Sequence, residues 1–208
     1  MIKTFVAGPV SANCYILKDD ETQAVAVIDC GEYTSEIAAA LEGESVKYIL
    51  LTHGHFDHIN GIYEMKKSHP EAKIAIYSLD AQCLSDDMLS LGRGFGIPCN
   101  DKCEADILLY DNDVLEFGEE GITVLHTPGH TTGGATYKYK NFLFTGDTLF
   151  NRSVGRTDFP GGSFPVLHAS VFRLFCLEGD YRIYPGHDST STLEIERKLN
   201  PYIKWSKK

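Results

Sequence analysis

The chain has 208 residues, 43% of them hydrophobic and 23% charged, and a formal net charge of −10. This is the composition of a globular chain long enough for a sizeable core. An acidic surface repels phosphate backbones and anionic lipid, so neither nucleic acid nor a membrane is an expected partner.

The opening run MIKTFVAGPVSANCYILKDD has no apolar core followed by a small-residue cleavage site, so no export signal is expected. No stretch approaches the roughly 20 apolar residues of a membrane span. Six cysteines, at positions 14, 30, 83, 99, 103 and 176, are scattered through apolar stretches or a loop. Without an export signal they read as reduced thiols of a cytoplasmic protein. No Pro/Ser-rich linker, charge block or repeat divides the chain, so residues 1–208 read as a single domain.

In chain order, strands are predicted at Ile2–Val6, Cys14–Leu17, Ala24–Ile28 and Val46–Leu51, each rich in β-branched or aromatic residues and stopped by a turn residue. A helix is predicted over Thr34–Leu41, where Ile37, Ala38 and Leu41 have helical spacing, and another over Gly61–Lys67, ending before His69-Pro70. A strand at Lys73–Tyr77 follows. The glycine-rich run Asp86–Glu104 reads as a loop packed over something, and its Cys99/Cys103 pair as ordinary loop thiols. Further strands are expected at Ile107–Tyr110, Val114–Phe117, Ile122–His126, Ala135–Tyr139, Phe142–Thr145 and Arg182–Tyr184, with helices at Pro165–Leu177 and Glu194–Lys198. Strands interleaved with helices in both halves permit two sheets covered by outer helices.

The chemistry concentrates in THGHFDHING, residues 52–61, which holds three of the eight histidines. This run follows a strand and leads into a helix. On extended backbone, side chains two apart converge, so His53 and His55 suit one ion, while Asp57 and His58 aim at a neighbouring point as the chain turns. Imidazole and carboxylate are ligands of first-row metals. A catalytic ion with an open position takes about three protein ligands, so four in one loop overfill a single site. Three further candidates stand at strand ends beside glycine: His130 in TPGHTTG, Asp147 in FTGDTLF and His187 in YPGHDST. Five histidines and two aspartates would suit two metals sharing one carboxylate. Taken alone, each is weak evidence: a single histidine before a helix is usually a cap, and Gly-Asp after a strand is usually a turn.

The motifs HGHFDH, TPGHTTG, GDTLF and YPGH, in that order, resemble the metallo-β-lactamase fold superfamily, over essentially the whole chain from NCYIL to NPYI. LFNRSVGRTDFPGG is similar to the hydroxyacylglutathione hydrolase-like, or glyoxalase II-like, branch. The resemblance implies an α/β fold, an αββα sandwich of two mixed sheets flanked by helices, with the site at the sheet edge. It implies that His53, His55 and His130 bind one divalent ion and Asp57, His58 and His187 a second, with Asp147 bridging. Zinc is the expected metal, with iron or manganese as alternatives. The implied reaction is hydrolysis of a small-molecule thioester, such as a lactoyl or other hydroxyacyl conjugate of glutathione or another thiol, by a metal-bridging hydroxide that Asp57 also orients. Thiolates leave readily because free thiols ionise near pH 8.5, so a strong general acid is not needed. Arg156 matches a substrate-contacting position of that branch, where a guanidinium would hold a substrate carboxylate; pairing with Asp158 is the competing reading. His126 reads as structural or as a support for the ligands. Glutathione-specific relatives carry an extra C-terminal helical domain that is expected to be missing here, which leaves the thiol carrier open.

Two rivals follow from the same residues. GRTDF also resembles the persulfide dioxygenase branch, in which His55, His130 and Asp147 would hold a single iron. A metal-stabilised, non-enzymatic binding domain is the other, although structural zinc sites are closed and typically use cysteine.

Overall fold

The computed structural model describes residues 1–97 and 103–202. The reading of Cys99 lies outside the described residues.

The first sheet is built from β1 (Ile2–Ala7), β2 (Ala12–Lys18), β3 (Val25–Ile28), β4 (Val46–Leu51), β5 (Lys73–Tyr77) and β6 (Ile107–Leu109), adjacent in that order. Its first two pairings are antiparallel, and β3 to β6 run parallel. The second sheet contains β7 (Val114–Leu115), β8 (Ile122–His126), β9 (Ala135–Tyr139) and β10 (Phe142–Gly146). A small separate hairpin pairs β11 (Leu149–Phe150) with β12 (Ser153–Val154). The second sheet is then completed by β13 (Arg182–Pro185) and β14 (Ser191–Thr192), in the order β14-β13-β10-β9-β8-β7. It is mixed, because β10 pairs with β13 in parallel and with β9 antiparallel.

Residue alternation explains why the two sheets stack. Successive strand residues point to opposite faces. Tyr15, Leu17, Ile28, Tyr48 and Leu50 from one sheet meet Val124, Tyr137, Tyr139, Phe144 and Tyr184 from the other in a single inter-sheet core. Their neighbours point outward. Cys14, Ile16, Val27, Ile49 and Leu51 pack with Ile37 of α1 (Ser35–Ala40) and with Ile62 and Met65 further along the chain. Leu143 and Ile183 pack under a separate helical cover from the C-terminal half. Strands buried on both faces read as near-continuous apolar runs, as VKYILL does.

The helices are local consequences of sequence. Thr34 caps α1, its hydroxyl accepting the Ile37 N–H at 3.4 Å. A four-residue helix, α2 (Phe56–Ile59), precedes α3 (Ile62–Ser68), which carries Ile62 and Met65. A 3-10 helix, Ser78–Leu84, follows β5. α4 (Phe164–Phe175) starts with proline in its first turn and lays Leu167, Val171 and Leu174 on the second sheet. α5 (Leu193–Leu199) is capped by Thr192. The resulting layers are α, β, β, α, as the resemblance implied.

The strand ends set the position of the site. β8 and β10 both pair antiparallel with β9, so they run the same way, and β13 runs with β10. Their C-terminal ends therefore share one edge. The Ala135 N–H donates to the Thr52 carbonyl at 2.8 Å, and the Asn13 N–H to the Gly186 carbonyl at 2.7 Å, bringing the end of β4 and the start of β2 to the same edge. Among the described residues, no helix is long and apolar enough to cross a membrane, and Cys14, Cys30, Cys83 and Cys176 are free thiols.

Candidate metal centre

All seven candidate ligands meet at this edge. His53 and His55 sit on the extended backbone after β4; Asp57 and His58 are carried by α2; His130, Asp147 and His187 follow β8, β10 and β13. Three triads have ligand atoms within 4.8 Å of one another: His53/His55/His130, Asp57/His58/His187 and His53/His58/Asp147. Asp147 faces both sides. Its Oδ2 is 3.4 Å from His130 Nε2 and 3.7 Å from His187 Nε2, and its Oδ1 is 3.5 Å from His58 Nε2. Asp57 Oδ2 lies 3.2 Å from His187 Nε2 and 3.4 Å from His58 Nε2. His55 Nδ1 and His130 Nε2 are 2.8 Å apart.

Surrounding groups orient the rings. His58 Nδ1 is 2.9 Å from Asp29 Oδ2, His53 Nδ1 is 3.1 Å from the Thr52 hydroxyl, and His130 Nδ1 is 2.8 Å from the Arg156 carbonyl oxygen. Each contact occupies Nδ1 and turns Nε2 into the cluster, the usual division of labour at a metal-binding histidine. His53 Nε2, His58 Nε2 and Asp147 Oδ1 are buried there with no hydrogen-bond partner in the protein. Buried polar atoms are rarely left so, and three of them facing one point fit divalent cations well. The backbone leaves room for the same arrangement: a Cβ on Gly186 would lie 2.1 Å from Asp147 Oδ1 and 2.9 Å from His58 Cε1. Gly146 has φ of +48° and would put a Cβ 2.3 Å from the Thr52 hydroxyl oxygen.

The charge states follow from burial and from neighbours. Burial, reinforced by the surrounding imidazoles, holds His53 well below the ordinary histidine range and His55 at about 3, so both rings are neutral and can donate lone pairs. Burial pushes the Asp57 carboxyl up, but the His58 charge and hydrogen bonds from His187 and His58 outweigh it and keep the group ionised. Burial also opposes protonation of His58, yet the carboxylates of Asp57, Asp29 and Asp147 raise its pKa.

Three supporting residues were not legible as such in the sequence. Asp29 accepts the Thr52 N–H and hydroxyl, both at 2.8 Å, besides holding His58. Asp80, buried in the 3-10 helix, accepts the Gly54 N–H at 3.0 Å, the Thr131 hydroxyl at 2.7 Å and the Gly133 N–H at 2.6 Å, tying the His53/His55 loop to the His130 loop. Asn13 donates to the Pro185 and Asp188 carbonyls at 2.9 and 3.0 Å and so fixes the His187 turn. Arg156 lies at the rim, where its Nε and Nη2 donate to Asp158 at 2.7 and 2.6 Å. His126 stays outside the cluster, stacked on Tyr77 at 4.1 Å with its Nε2 3.0 Å from the Thr132 carbonyl oxygen.

A cavity of about 360 Å³ opens onto His55, Asp57, His130, Asp147 and His187.

Residues 7–187 match the family model described as the metallo-beta-lactamase superfamily. The chain belongs to that superfamily of metallo-hydrolases. A Haemophilus influenzae relative named hydroxyacylglutathione hydrolase GloC is 33% identical over 204 residues, 94% of this chain and 95% of its own length. Among solved structures, the BLEG-1 B3 metallo-beta-lactamase superposes with a TM-score of 0.90 at 31% identity, covering 98% of this chain and 99% of that one. TTHA1623, determined in a di-iron-bound form, gives a TM-score of 0.83 at 30% identity, covering 96% and 99%.

Proposed function

We propose that the protein is a dinuclear metal-dependent hydrolase of small-molecule thioesters, and that His53, His55 and His130 hold one ion, Asp57, His58 and His187 the other, with Asp147 shared. The observation that carries this reading is the Asp147 carboxylate, within 3.7 Å of ligand nitrogens from both sides of the cluster. The name of the Haemophilus relative supports a thioester substrate. Zinc is the metal we expect, although the di-iron form of TTHA1623 shows that a relative of this fold takes iron.

Two divalent ions so held would lower the pKa of a water between them towards neutrality and polarise an acyl oxygen. The chain's own contribution is preorganisation. Asp29, Thr52 and the Arg156 carbonyl fix the ring orientations before substrate arrives, so little reorganisation remains for the reaction itself. Asp57, besides serving as a ligand, would accept a hydrogen bond from the attacking water and orient its lone pair. The net change adds water across the acyl–sulfur bond, giving a carboxylic acid and a thiol, and the thiolate needs no dedicated proton donor to depart.

The single-iron dioxygenase reading uses His55, His130 and Asp147 and leaves His53, and the trio Asp57, His58 and His187, without a task. Those three converge as closely as the others, so the two-ion reading is preferred. Replacement of Asp57 by Ala or of His58 by Ala should abolish thioester hydrolysis, and full activity in both variants would sink the proposal.

A further inference from the structure

The cavity beside the cluster has walls of a different kind from its floor. Apart from the ligand side chains and Arg156, it is lined by apolar residues, chiefly Phe56, Leu91, Phe95, Phe150, Val154 and Phe159. The aromatic rings form a continuous wall running to the metal ligands. Phe56 and Phe95 lie 5.2 Å apart, Phe95 and Phe159 6.0 Å, and Phe159 stands edge-on to His55 at 5.9 Å. Such separations suit aromatic packing, including with a further ring inserted beside them.

Phe95 is placed there by its own backbone. The Phe95 N–H donates to the Leu91 carbonyl at 3.3 Å and the Ile97 N–H to the Gly92 carbonyl at 2.8 Å, folding residues 91–97 into a compact strap. The Phe56 N–H donates to the Ser90 carbonyl at 2.9 Å, anchoring that strap to α2 beside Asp57. At the tip, Phe95 remains 52% exposed. A large apolar ring held at the mouth of a catalytic cleft is surface that a ligand would cover.

The charge at the rim is already engaged. Arg156 is the only lysine or arginine among the described residues lining the cavity. Its guanidinium makes the two-pronged pair with Asp158 and stacks 4.0 Å above the Phe159 ring. Stacked in this way it extends the aromatic wall, and Asp158 competes for it with any substrate carboxylate. Glutathione conjugates bring two carboxylates, and a hydroxyacyl group brings a hydroxyl, to a wall that supplies few polar partners for them.

We propose that the substrate of this site carries an apolar, uncharged group, an alkyl chain or an aromatic ring next to the scissile carbonyl or on its sulfur, and that Phe95 and Phe159 select for it. This inference rests on the hydrolase reading above and narrows it to a substrate class.

The test uses the metal-loaded protein and two thioester series. In one, N-acetylcysteamine carries acetyl, lactoyl, hexanoyl or phenylacetyl groups. In the other, an acetyl group is carried by glutathione, N-acetylcysteamine or benzyl mercaptan. The proposal predicts kcat/KM at least about tenfold higher for the hexanoyl, phenylacetyl or benzyl member than for its small or charged counterparts. The series that shows the gain identifies whether the acyl or the thiol side fills the wall. In Phe95→Ala and Phe159→Ala the ratio between apolar and small substrates should collapse towards one, and Phe95→Leu should keep most of it. Independently of turnover, calorimetric titration should show phenylacetate binding at least about tenfold more tightly than lactate, with that margin lost in Phe95→Ala. Equal or better rates with lactoyl and glutathione substrates would overturn the proposal and leave the hydrolase reading standing. Phe95-dependent binding of phenylacetate with no cleavage of any thioester would support the apolar site and overturn the hydrolase reading.

Discussion

The Asp29 carboxylate holds the His58 imidazole through Nδ1 at 2.9 Å while accepting both the N–H and the hydroxyl of Thr52. One buried carboxylate thus fixes the ring orientation of a candidate ligand and the backbone from which His53 projects. Groups of this kind set the tautomer of a metal-binding histidine, and their removal typically costs about 10- to 100-fold in metal affinity. Asp29→Asn should therefore weaken metal retention by about that factor in a competition with a chelator, and the side holding His58 should lose its ion first. Unchanged affinity would show that His58 is oriented by packing alone.

Asp80 plays a mechanical part at greater distance from the ligand atoms. Asp80→Ala strips partners from the Gly54 and Gly133 N–H groups and the Thr131 hydroxyl, all buried. Each lost bond to a charged acceptor costs about 1.5–3 kcal/mol, so denaturant unfolding should register a loss of about 3 kcal/mol or more. Asp80→Asn, which keeps an acceptor oxygen, should lose less.

Much of this arrangement was legible in the sequence, and the parts that were not share a cause. The strands Val46–Leu51, Lys73–Tyr77, Ile122–His126 and Ala135–Tyr139 fall where they are predicted, because β-branched, aliphatic and aromatic residues fill them between turn residues. The sequence does not announce α2, because four residues are too few to display a helical period, although FDHI is the segment that turns Asp57 and His58 towards the cluster. The β11–β12 hairpin and β14 are two-residue strands, which pairing creates and composition cannot announce. Asp29 and Asp80 look like turn aspartates in the sequence, since their partners lie 23 to 53 positions away. The strand-end glycines did signal the right places, and Gly186 shows why, because the space a Cβ would need is occupied by Asp147.

That close approach gives a sharp test. Gly186→Ala would drive a methyl group into Asp147 Oδ1 and the His58 ring. If Asp147 bridges two ions as proposed, its displacement should cut bound metal and the proposed thioesterase activity by at least about tenfold even when far-UV circular dichroism shows a folded protein. Retention of both would argue that Asp147 is not held where the structure has it.

Acid should destabilise the protein through Asp19, remote from the cluster. Its carboxylate accepts the Thr22 N–H at 2.8 Å, the Tyr139 hydroxyl at 2.5 Å and the Lys140 ammonium at 3.0 Å. The Thr22 backbone bond, then Tyr139, hold its pKa well below the ordinary carboxylate value, against the opposing effect of burial. The folded-state pKa lies below the unfolded one of about 3.9, so the stabilisation is fully present above that pH and is lost as pH falls through the folded value. Asp19→Asn should be less stable than the parent at pH 7, and the gap should narrow as pH drops below about 4. A gap independent of pH would contradict this assignment.

The proposed centre holds two ions with seven side chains through one shared carboxylate. It is tested most directly by the metal content of protein purified anaerobically from ordinary medium, measured by elemental mass spectrometry alongside Asp147→Ala. About two divalent ions per chain, zinc or a zinc–iron mixture, falling to one or fewer in the variant, is expected of that centre. About one iron per chain and little else, with Asp57, His58 and His187 dispensable for its retention, would contradict it and point to the mononuclear chemistry instead.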